Sequence, residues 1–168
     1  MVFDLLFWGI RALGVVVVLL FGAVLLFGAP YLPTLKAQRA EALKLLDLKP
    51  GQVFYDLGCG DGRLLKLAAK QGLQCVGYEL NPLLAAYAWA TTRRYRGRVR
   101  IVCGSFWRAD LADADGVFIF LIDHHMKRFA RFMESQTFGK PVKLVSHAFK
   151  IPGKKPIQKS GAMFLYKY

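Results

Sequence analysis

The chain has 168 residues, which is enough for one α/β domain with a short appendage and a buried core. Hydrophobic residues make up 55% of it and the formal net charge is +13 at pH 7, so we expect an acidic partner or surface. Three cysteines, odd in number and far apart, exclude a disulfide-stapled scaffold, and no Cys/His spacing indicates a metal site. We predict reduced thiols in or beside core strands.

The first element is an apolar run at residues 12–29 that contains no charge. As a helix it would be about long enough to cross a hydrocarbon core of roughly 30 Å. We therefore predict a membrane anchor over residues 1–32 with a transmembrane helix at about 12–29, and with Trp8 and Tyr31 at the interfaces. A cleavable signal peptide is the alternative, but Phe27 stands where a small residue is wanted before a cut after Ala29.

The charges that flank this run predict its orientation. Few charges precede it, whereas four basic residues follow it: Lys36, Arg39, Lys44 and Lys49. Because basic residues stay on the cytoplasmic side, we expect a single-pass membrane protein whose remaining chain, residues 33–168, faces the cytoplasm or a mitochondrial matrix. Gly14 and Gly22 could let two such spans associate.

Strands and helices alternate along the rest of the chain. A helix from about residue 34 to 48 precedes a strand at 53; helices follow at 63–71, 82–95 and 124–135, and strands at 75–80, 99–104, 116–121, 142–149 and 162–167. This alternation predicts a Rossmann-like α/β fold with a mostly parallel sheet and helices on both faces. Only residues 152–160 connect the last two strands, so we expect a sheet trimmed to six strands.

A glycine-rich turn follows the first strand and has the sequence Asp56-Leu-Gly58-Cys-Gly60-Asp61-Gly62. Glycines there allow a sharp turn and the close approach of a ligand. The spacing differs from the dinucleotide fingerprint, because Arg63 stands where the third glycine is needed. A carboxylate at the end of the strand would repel a pyrophosphate but attract a cationic ligand. We therefore predict a cofactor site for a cation.

The next strand ends in Glu79, followed by Leu80, Asn81 and Pro82. Its carboxylate could accept hydrogen bonds from both ribose hydroxyls of a nucleoside at the switch point of the sheet. The two segments together resemble the first two motifs of class I S-adenosylmethionine-dependent methyltransferases; the alternatives are a structural turn or an NAD site. The resemblance implies cofactor contacts by Asp56, Gly58, Gly60, Asp61, Gly62, Glu79, Leu80 and Asn81.

Two further segments follow later strands and so belong to the same edge of the sheet. Ser105, Phe106 and Trp107 would border the adenine, although core packing explains the two aromatics equally well. Asp123 and His124 come after the fourth strand, where amine-directed methyltransferases hold the acceptor. We predict that Asp123 orients an acceptor amine and that His124 or its neighbour His125 assists proton removal; the alternative for Asp123 is a helix N-cap.

Basic residues cluster in two places, Arg93 to Arg100 and Lys127 to Arg131. With a predicted membrane span in the same chain, anionic lipid headgroups are the simplest partner. RNA is the rival, disfavoured by the lack of a separate recognition module, and a merely solvated basic face is the third possibility.

The whole pattern resembles the membrane-anchored ATP synthase c-subunit lysine methyltransferase family and its prokaryotic relatives. The resemblance rests on the N-terminal apolar run, the glycine-rich turn, Gly77 to Pro82 and Ser105 to Trp107. It implies a seven-strand-type methyltransferase that uses S-adenosylmethionine, releases S-adenosylhomocysteine and modifies a lysine of a membrane protein. Ser105 departs from the acid usual in the family. The alternatives are methylation of a lipid or quinone headgroup and a non-catalytic cofactor-binding membrane adaptor.

Overall fold

The computed structural model describes residues 2–27 and 35–168. It divides the chain into two compact units, one that extends to Tyr31 and one that begins at Leu32. In the described part of the first unit, the helix α1 (Val2–Phe27) contains residues 12–27 of the apolar run. Residues 28–34, which include the end of the predicted span, the interface anchor Tyr31 and the start of the next predicted helix, lie outside the described residues.

The predicted transmembrane helix is wrong. Among the described residues, none of the helices combines the length and the apolar character needed to cross a bilayer. The charges of Asp4 and Arg11 fall inside α1, so only residues 12–27 of it are uncharged. The orientation predicted from flanking charges depended on the span and stays a prediction.

The second unit is built on one mixed sheet whose strands follow the order β3-β2-β1-β4-β5-β7-β6. The first five positions in that order pair in parallel, and β7 pairs antiparallel with both of its neighbours. The strands are β1 (Val53–Leu57), β2 (Gln74–Glu79), β3 (Val99–Cys103), β4 (Gly116–Ile119), β5 (Lys143–His147), β6 (Gln158–Ser160) and β7 (Met163–Lys167). The chain order reverses at β1, so the carboxyl ends of β1 and β4 flank a switch point.

The sheet has seven strands within residues 35–168, so the expected trimming to six is wrong. The additional strand is β6, which has three residues and lies inside the predicted connection at 152–160. It forms an antiparallel hairpin with β7 in which Ser160 pairs with Met163. Its residues Gln158 and Lys159 are exposed and polar, so no apolar pattern marks this strand in the sequence.

Residues 35–168 contain four α-helices: α2 (Lys36–Leu46), α3 (Arg63–Lys70), α4 (Pro82–Thr92) and α5 (Asp123–Glu134). Buried leucines and alanines of α2 and α3 form one core cluster with Phe54, Phe118 and Val145 from three adjacent strands. Side chains alternate along a strand, so Val117 and Ile119, which are also buried, face the opposite layer. Both faces of the sheet are therefore covered, as predicted. Of the three cysteines, Cys103 on the edge strand β3 is exposed rather than buried.

Candidate active site

The glycine-rich turn leaves β1 at the switch point and starts α3. Gly58, Gly60 and Gly62 have φ angles of 102°, 54° and 75°, a region that residues with a Cβ rarely adopt. The amides of Gly58 and Cys59 both donate to the Tyr78 carbonyl of β2, at 2.9 and 2.8 Å. The turn is therefore bonded to the neighbouring strand, and a Cβ at Gly58 would face open space in which a ligand can approach.

Close packing holds α3 in place behind this turn. A Cβ on Gly62 would lie 3.2 Å from side-chain atoms of Ala88 and Thr92 in α4. A Cβ on Gly77, in the middle of β2, would collide with the side chains of Leu65 and Cys59. These two glycines let α3 lie against both α4 and the sheet, which fixes the position of the turn.

Asp56 lies in β1 one residue before its end, and its carboxyl group is buried. Burial, reinforced by the negative charges of Glu79 and Asp61, raises its pKa to about 8. The carboxyl group therefore holds a proton near neutral pH in the ligand-free protein. A cation beside it would favour the charged form and release that proton.

Glu79 ends β2 and joins the two motifs. Its carboxylate accepts a hydrogen bond from the Gly60 amide at 2.9 Å and another from the Asn81 amide at 2.8 Å. Burial raises the pKa of Glu79, and the amide hydrogen bonds of Asn81, Gly60 and Leu80 oppose that rise. A carboxylate has about four lone-pair sites, so at least one remains for a ligand hydroxyl.

The other predicted residues of the two motifs lie beside these carboxylates. Asp61 is nearly buried and forms an ion pair with Arg63. Asn81 caps α4, since its side-chain oxygen accepts hydrogen bonds from the amides of Leu83 and Leu84 at 2.9 and 3.3 Å. Its Nδ2 is buried without a hydrogen-bond partner among the described residues, so its two N–H donors remain for a ligand. Leu80, which stands between Glu79 and Asn81 in the chain, is partly exposed.

The predicted adenine border follows β3. Ser105 precedes a short 3₁₀ helix, Phe106–Arg108, in which Phe106 and Trp107 are half-buried. The Phe106 ring packs against Phe129 and Phe132 of α5, with ring centroids 6.5 and 6.1 Å apart. Part of the Phe106 surface therefore packs in the core, which was the alternative to the predicted contact with adenine. The Arg128 guanidinium lies 4.2 Å from the centre of the Trp107 ring.

The predicted acceptor residues stand in the first turn of α5, beyond the end of β4. Asp123 and His124 are exposed and His125 is half-buried. The two imidazole rings are in contact, with centroids 4.0 Å apart and planes inclined by 53°. Burial, followed by the charges of His124 and Arg128, lowers the pKa of His125. The N-cap of α5 is Ile122 and makes no side-chain cap, so Asp123 lies inside the helix and is not the predicted cap.

One buried polar side chain at this edge was missed in the sequence. His147 ends β5, is 5% exposed, and its Nδ1 has no hydrogen-bond partner within the described part of the chain. Its signal in the sequence was weak, because it is a lone histidine at the end of a strand that also contains Lys143 and Ser146. Its position becomes visible only in the folded sheet, where the register between β4 and β5 places it beside Phe120, the residue that follows β4.

The site fits a cationic nucleoside. Asp56 offers a buried carboxyl that a cation would ionise, Glu79 has free lone pairs, and Asn81 has a donor that no described residue accepts. The open space above Gly58 admits the ligand close to the backbone. These features match S-adenosylmethionine, whose sulfonium is cationic and whose ribose presents two hydroxyls.

Comparisons with known proteins agree with this assignment. Residues 56–158 match the family model described as the ANTKMT methyltransferase domain. A protein-lysine N-methyltransferase of Saccharolobus islandicus is 33% identical over 132 residues, which cover 76% of this chain and 81% of that protein. A lysine N-methyltransferase of the ATP synthase c-subunit, from Xenopus laevis, is 31% identical over 144 residues, 77% of this chain and 62% of its own length.

Solved structures show the same fold. An RNA methyltransferase from Salinibacter ruber, in complex with S-adenosyl-L-homocysteine, superposes with a TM-score of 0.74 and 26% identity, over 82% of this chain and 92% of that one. A methyltransferase from Thiobacillus denitrificans, also bound to S-adenosyl-L-homocysteine, has a TM-score of 0.56 at 19% identity, over 73% of this chain and 53% of that one. The protein is an S-adenosylmethionine-dependent methyltransferase, and its chain belongs to the ANTKMT methyltransferase domain family.

Proposed function

We propose that the protein methylates the ε-amine of a lysine in another protein. The names of its relatives from Saccharolobus islandicus and Xenopus laevis support this acceptor class. The observation that carries the proposal is the buried pair of Asp56 and Glu79 at the carboxyl ends of β1 and β2, because it provides a binding site for the methyl donor. The chain spans 62% of the length of the Xenopus laevis relative, so the acceptor of that protein is transferred here as a proposal.

Bound S-adenosylmethionine supplies an activated methyl group on a sulfonium sulfur. Asp56 and Glu79 bind and orient the donor, and the glycine turn fixes its distance from the backbone. Methyl transfer by in-line displacement needs little more than alignment and the exclusion of water around the charged centre. The acceptor amine must arrive unprotonated with its lone pair directed at the methyl carbon.

Asp123 and His124 stay predictions as acceptor-binding residues. Both are exposed at the carboxyl edge of the sheet, immediately after β4. In this position the Asp123 carboxylate would attract a lysine ammonium as it approaches, and His124 could accept a proton at the entrance. Solvent screens an exposed pair, so their contribution is expected in acceptor binding more than in the methyl-transfer step.

We further propose that the acceptor lies in a membrane protein and that helix α4 contacts anionic lipid. This helix has no charged residue, and Leu83, Tyr87 and Trp89 on its outer side are 43%, 55% and 58% exposed. Aromatic side chains of this kind favour the interface between water and lipid. Arginines follow at once, and the Arg93 guanidinium lies 5.7 Å from the Trp89 ring. Each basic residue near an anionic surface contributes about 1 kcal/mol.

RNA methylation is the second candidate. It is favoured by the similarity to the Salinibacter ruber RNA methyltransferase, at 26% identity over most of both chains. Exposed aromatic residues next to arginines can also stack on bases and bind phosphates. The proposal for lysine is preferred because the relatives named for lysine methylation share 31–33% identity.

Transfer of a radiolabelled methyl group separates these possibilities. The purified protein is incubated with labelled S-adenosylmethionine and, in separate reactions, with membrane proteins, lipid extract and RNA. We expect acid-stable label in a protein band that yields methyllysine on hydrolysis. Label in the lipid extract or in RNA would replace the lysine proposal, and Glu79→Ala should remove the label in every case.

A further inference from the structure

We propose that His147 accepts a hydrogen bond from the acceptor amine and so directs its lone pair at the donated methyl group. The inference rests on the proposed amine acceptor, and it adds a residue that the family match and the sequence motifs leave unassigned. Four observations carry it: the burial of the ring, its unpaired nitrogen, its position relative to Asp56, and the backbone that holds it.

The ring of His147 is buried but is not satisfied by the described residues. It is 5% exposed, and none of them bonds to its Nδ1, which is unusual because a buried polar atom left unpaired costs about 1–3 kcal/mol. The ring packs on Phe120, with centroids 4.3 Å apart. A residue that binds a substrate needs a ring held by packing on one side and a nitrogen that is free to accept a hydrogen bond. The substrate then supplies the donor of that hydrogen bond.

The register of the sheet places His147 on the same face as Asp56. Asp56 pairs with Phe118 of β4, and Phe118 pairs with Val145 of β5, two residues before His147. Side chains two apart on a strand share a face, so Asp56, Phe118 and His147 lie over the same layer. The strands of Asp56 and His147 are two positions apart, a lateral separation of roughly 10 Å. Phe118 is buried on β4 between them, so an amine that reaches His147 would have to sit farther along the carboxyl edge, next to Phe120.

The direction of approach also favours β5. Glu79 at the end of β2 would hold the ribose, so a bound nucleoside would occupy the side of the site toward β2 and β3. An in-line displacement requires the acceptor to approach from the side of the methyl group opposite the sulfur. The open direction is then toward β4 and β5, where Phe120 and His147 stand next to each other at the carboxyl edge.

The backbone after His147 is strained in a way that fixes the ring. Ala148 has a φ of 68°, and the Phe149 amide donates to the His147 carbonyl at 2.9 Å across it. A three-residue turn with a positive central φ is rare and unfavourable for a residue with a Cβ. The Ser146 hydroxyl donates to the Phe149 carbonyl at 2.6 Å, and the Ala148 amide donates to the Ala162 carbonyl at 2.8 Å. These bonds hold the strained turn and thereby the histidine.

The charge state suits the role. Burial lowers the pKa of His147, and the nearby carboxylate of Glu41 opposes that effect. The carboxylate of Glu41 is already engaged by the Ser160 hydroxyl at 2.5 Å. A neutral imidazole can accept a hydrogen bond from a neutral amine, whereas an imidazolium would only repel the incoming cation.

Two substitutions separate the role of the His147 nitrogen as a hydrogen-bond acceptor from the role of its ring in packing. His147→Phe keeps an aromatic ring on Phe120 but removes the nitrogen, and His147→Asn places an amide oxygen near the position of Nδ1 while giving up most of the ring. Initial rates of methyl transfer are measured on the fraction that the wild type labels, at saturating S-adenosylmethionine. We expect His147→Phe to lose about tenfold or more in rate and His147→Asn to stay within about threefold of the wild type.

Calorimetry with S-adenosylmethionine should give equal affinities for the wild type and both variants, which shows that each is folded with the donor site intact. A His147→Phe variant as fast as the wild type, or a His147→Asn variant as slow as His147→Phe, would overturn the inference. If a substitution prevents folding, nitrogen NMR of histidine-labelled wild type answers the question. The signal of an unprotonated His147 Nδ1 should shift when a lysine peptide and S-adenosylhomocysteine are added together, and an unmoved signal contradicts the role.

This outcome is separate from that of the proposed function. Label found in lipid or RNA would refute the lysine acceptor. The rates of the His147 variants would then be compared with that of the wild type on the labelled fraction. Label in protein together with an active His147→Phe variant would refute the role of His147 alone.

Discussion

The Glu79 carboxylate accepts a hydrogen bond from the Gly60 amide at 2.9 Å, and this bond ties the end of β2 to the turn that follows β1. A second bond from the Asn81 amide, at 2.8 Å, uses the other carboxylate oxygen. Glu79 is therefore an organiser of the donor site before any ligand arrives. Its hold on the turn and its proposed binding of the ribose both depend on its being an acceptor at both oxygens.

Replacement of Glu79 by Gln should therefore weaken donor binding even though the shape is kept. The new amide group presents N–H donors to one of the two backbone amides, so one bond becomes a repulsion. Hydrogen bonds to a charged group contribute about 1.5–3 kcal/mol, so we expect a loss of roughly 10–100-fold in affinity for S-adenosylmethionine by calorimetry. Glu134→Gln, at the exposed end of α5, is the matched control. Equal affinity in Glu79→Gln and wild type would refute this account.

The buried Asp56 predicts an unusual pH dependence for the ligand-free protein. Its pKa is raised to about 8, whereas in the unfolded chain an aspartate ionises near 3.9. The folded state thus keeps a proton that the unfolded state has already lost, so stability falls as the pH rises from about 4 to about 8 and then levels off. Asp56→Asn should flatten this slope and stabilise the ligand-free protein at pH 8 by on the order of 2 kcal/mol. Urea unfolding across that range measures it.

The same residue predicts that donor binding releases a proton. A sulfonium beside Asp56 favours the ionised form, so affinity should rise as the pH increases from 6 toward 8. Calorimetry in two buffers with different ionisation enthalpies counts the protons released, and Asp56→Asn should release fewer. Affinity that is flat with pH, together with no proton release, would show that Asp56 is already charged in the free protein.

The parts of this site that the sequence predicted are those set by local pattern. The glycine-rich turn, the carboxylate at the tip of β2 and the alternation of strands and helices each depend on neighbouring residues, and the structure contains all three. By contrast, β6 consists of polar residues, of which Gln158 and Lys159 are exposed, and its pairing with β7 identifies it as a strand. His147 depends on the register between β4 and β5, which a single sequence does not encode visibly.

The span prediction failed for a different reason. Apolar composition was counted over residues 12–29, of which 28 and 29 lie outside the described residues, and the helix α1 contains two charges nearer its start. The composition of one uncharged run therefore did not represent the whole helix. The Asp123 cap was likewise a one-residue misplacement, because α5 begins at Asp123 rather than after it.

Gly77 should be the most sensitive glycine of the sheet. A methyl group at this position would collide with the side chains of Leu65 and Cys59, the latter at 2.8 Å from its sulfur. Gly77→Ala should therefore cost about 1–3 kcal/mol of unfolding free energy, because α3 would have to move away from the sheet. Gly97→Ala is the control, since a Cβ there meets no described atom within 4 Å. Thermal unfolding of both variants gives the comparison, and a fully stable Gly77→Ala would mean that α3 adjusts without cost.

The proposed lipid contact of α4 can be followed through Trp89. The chain contains three tryptophans, so a variant with Trp8→Phe and Trp107→Phe keeps only the one on this helix. Its side chain is 58% exposed, and we expect its emission to shift to the blue with vesicles of phosphatidylglycerol but not with phosphatidylcholine. Raising the salt concentration should reverse the shift, because the neighbouring arginines supply the attraction.

Two variants complete this test of α4. Charge reversal by Arg93→Glu should weaken the response of Trp89, since Arg93 lies against its ring, whereas Ile157→Ser, at an apolar residue that is 62% exposed, should leave it unchanged. A protein that retains only Trp107, which is half-buried, reports any general effect of vesicles on fluorescence. No shift with either lipid, or a shift with single-stranded RNA alone, would refute the lipid contact and favour the RNA candidate.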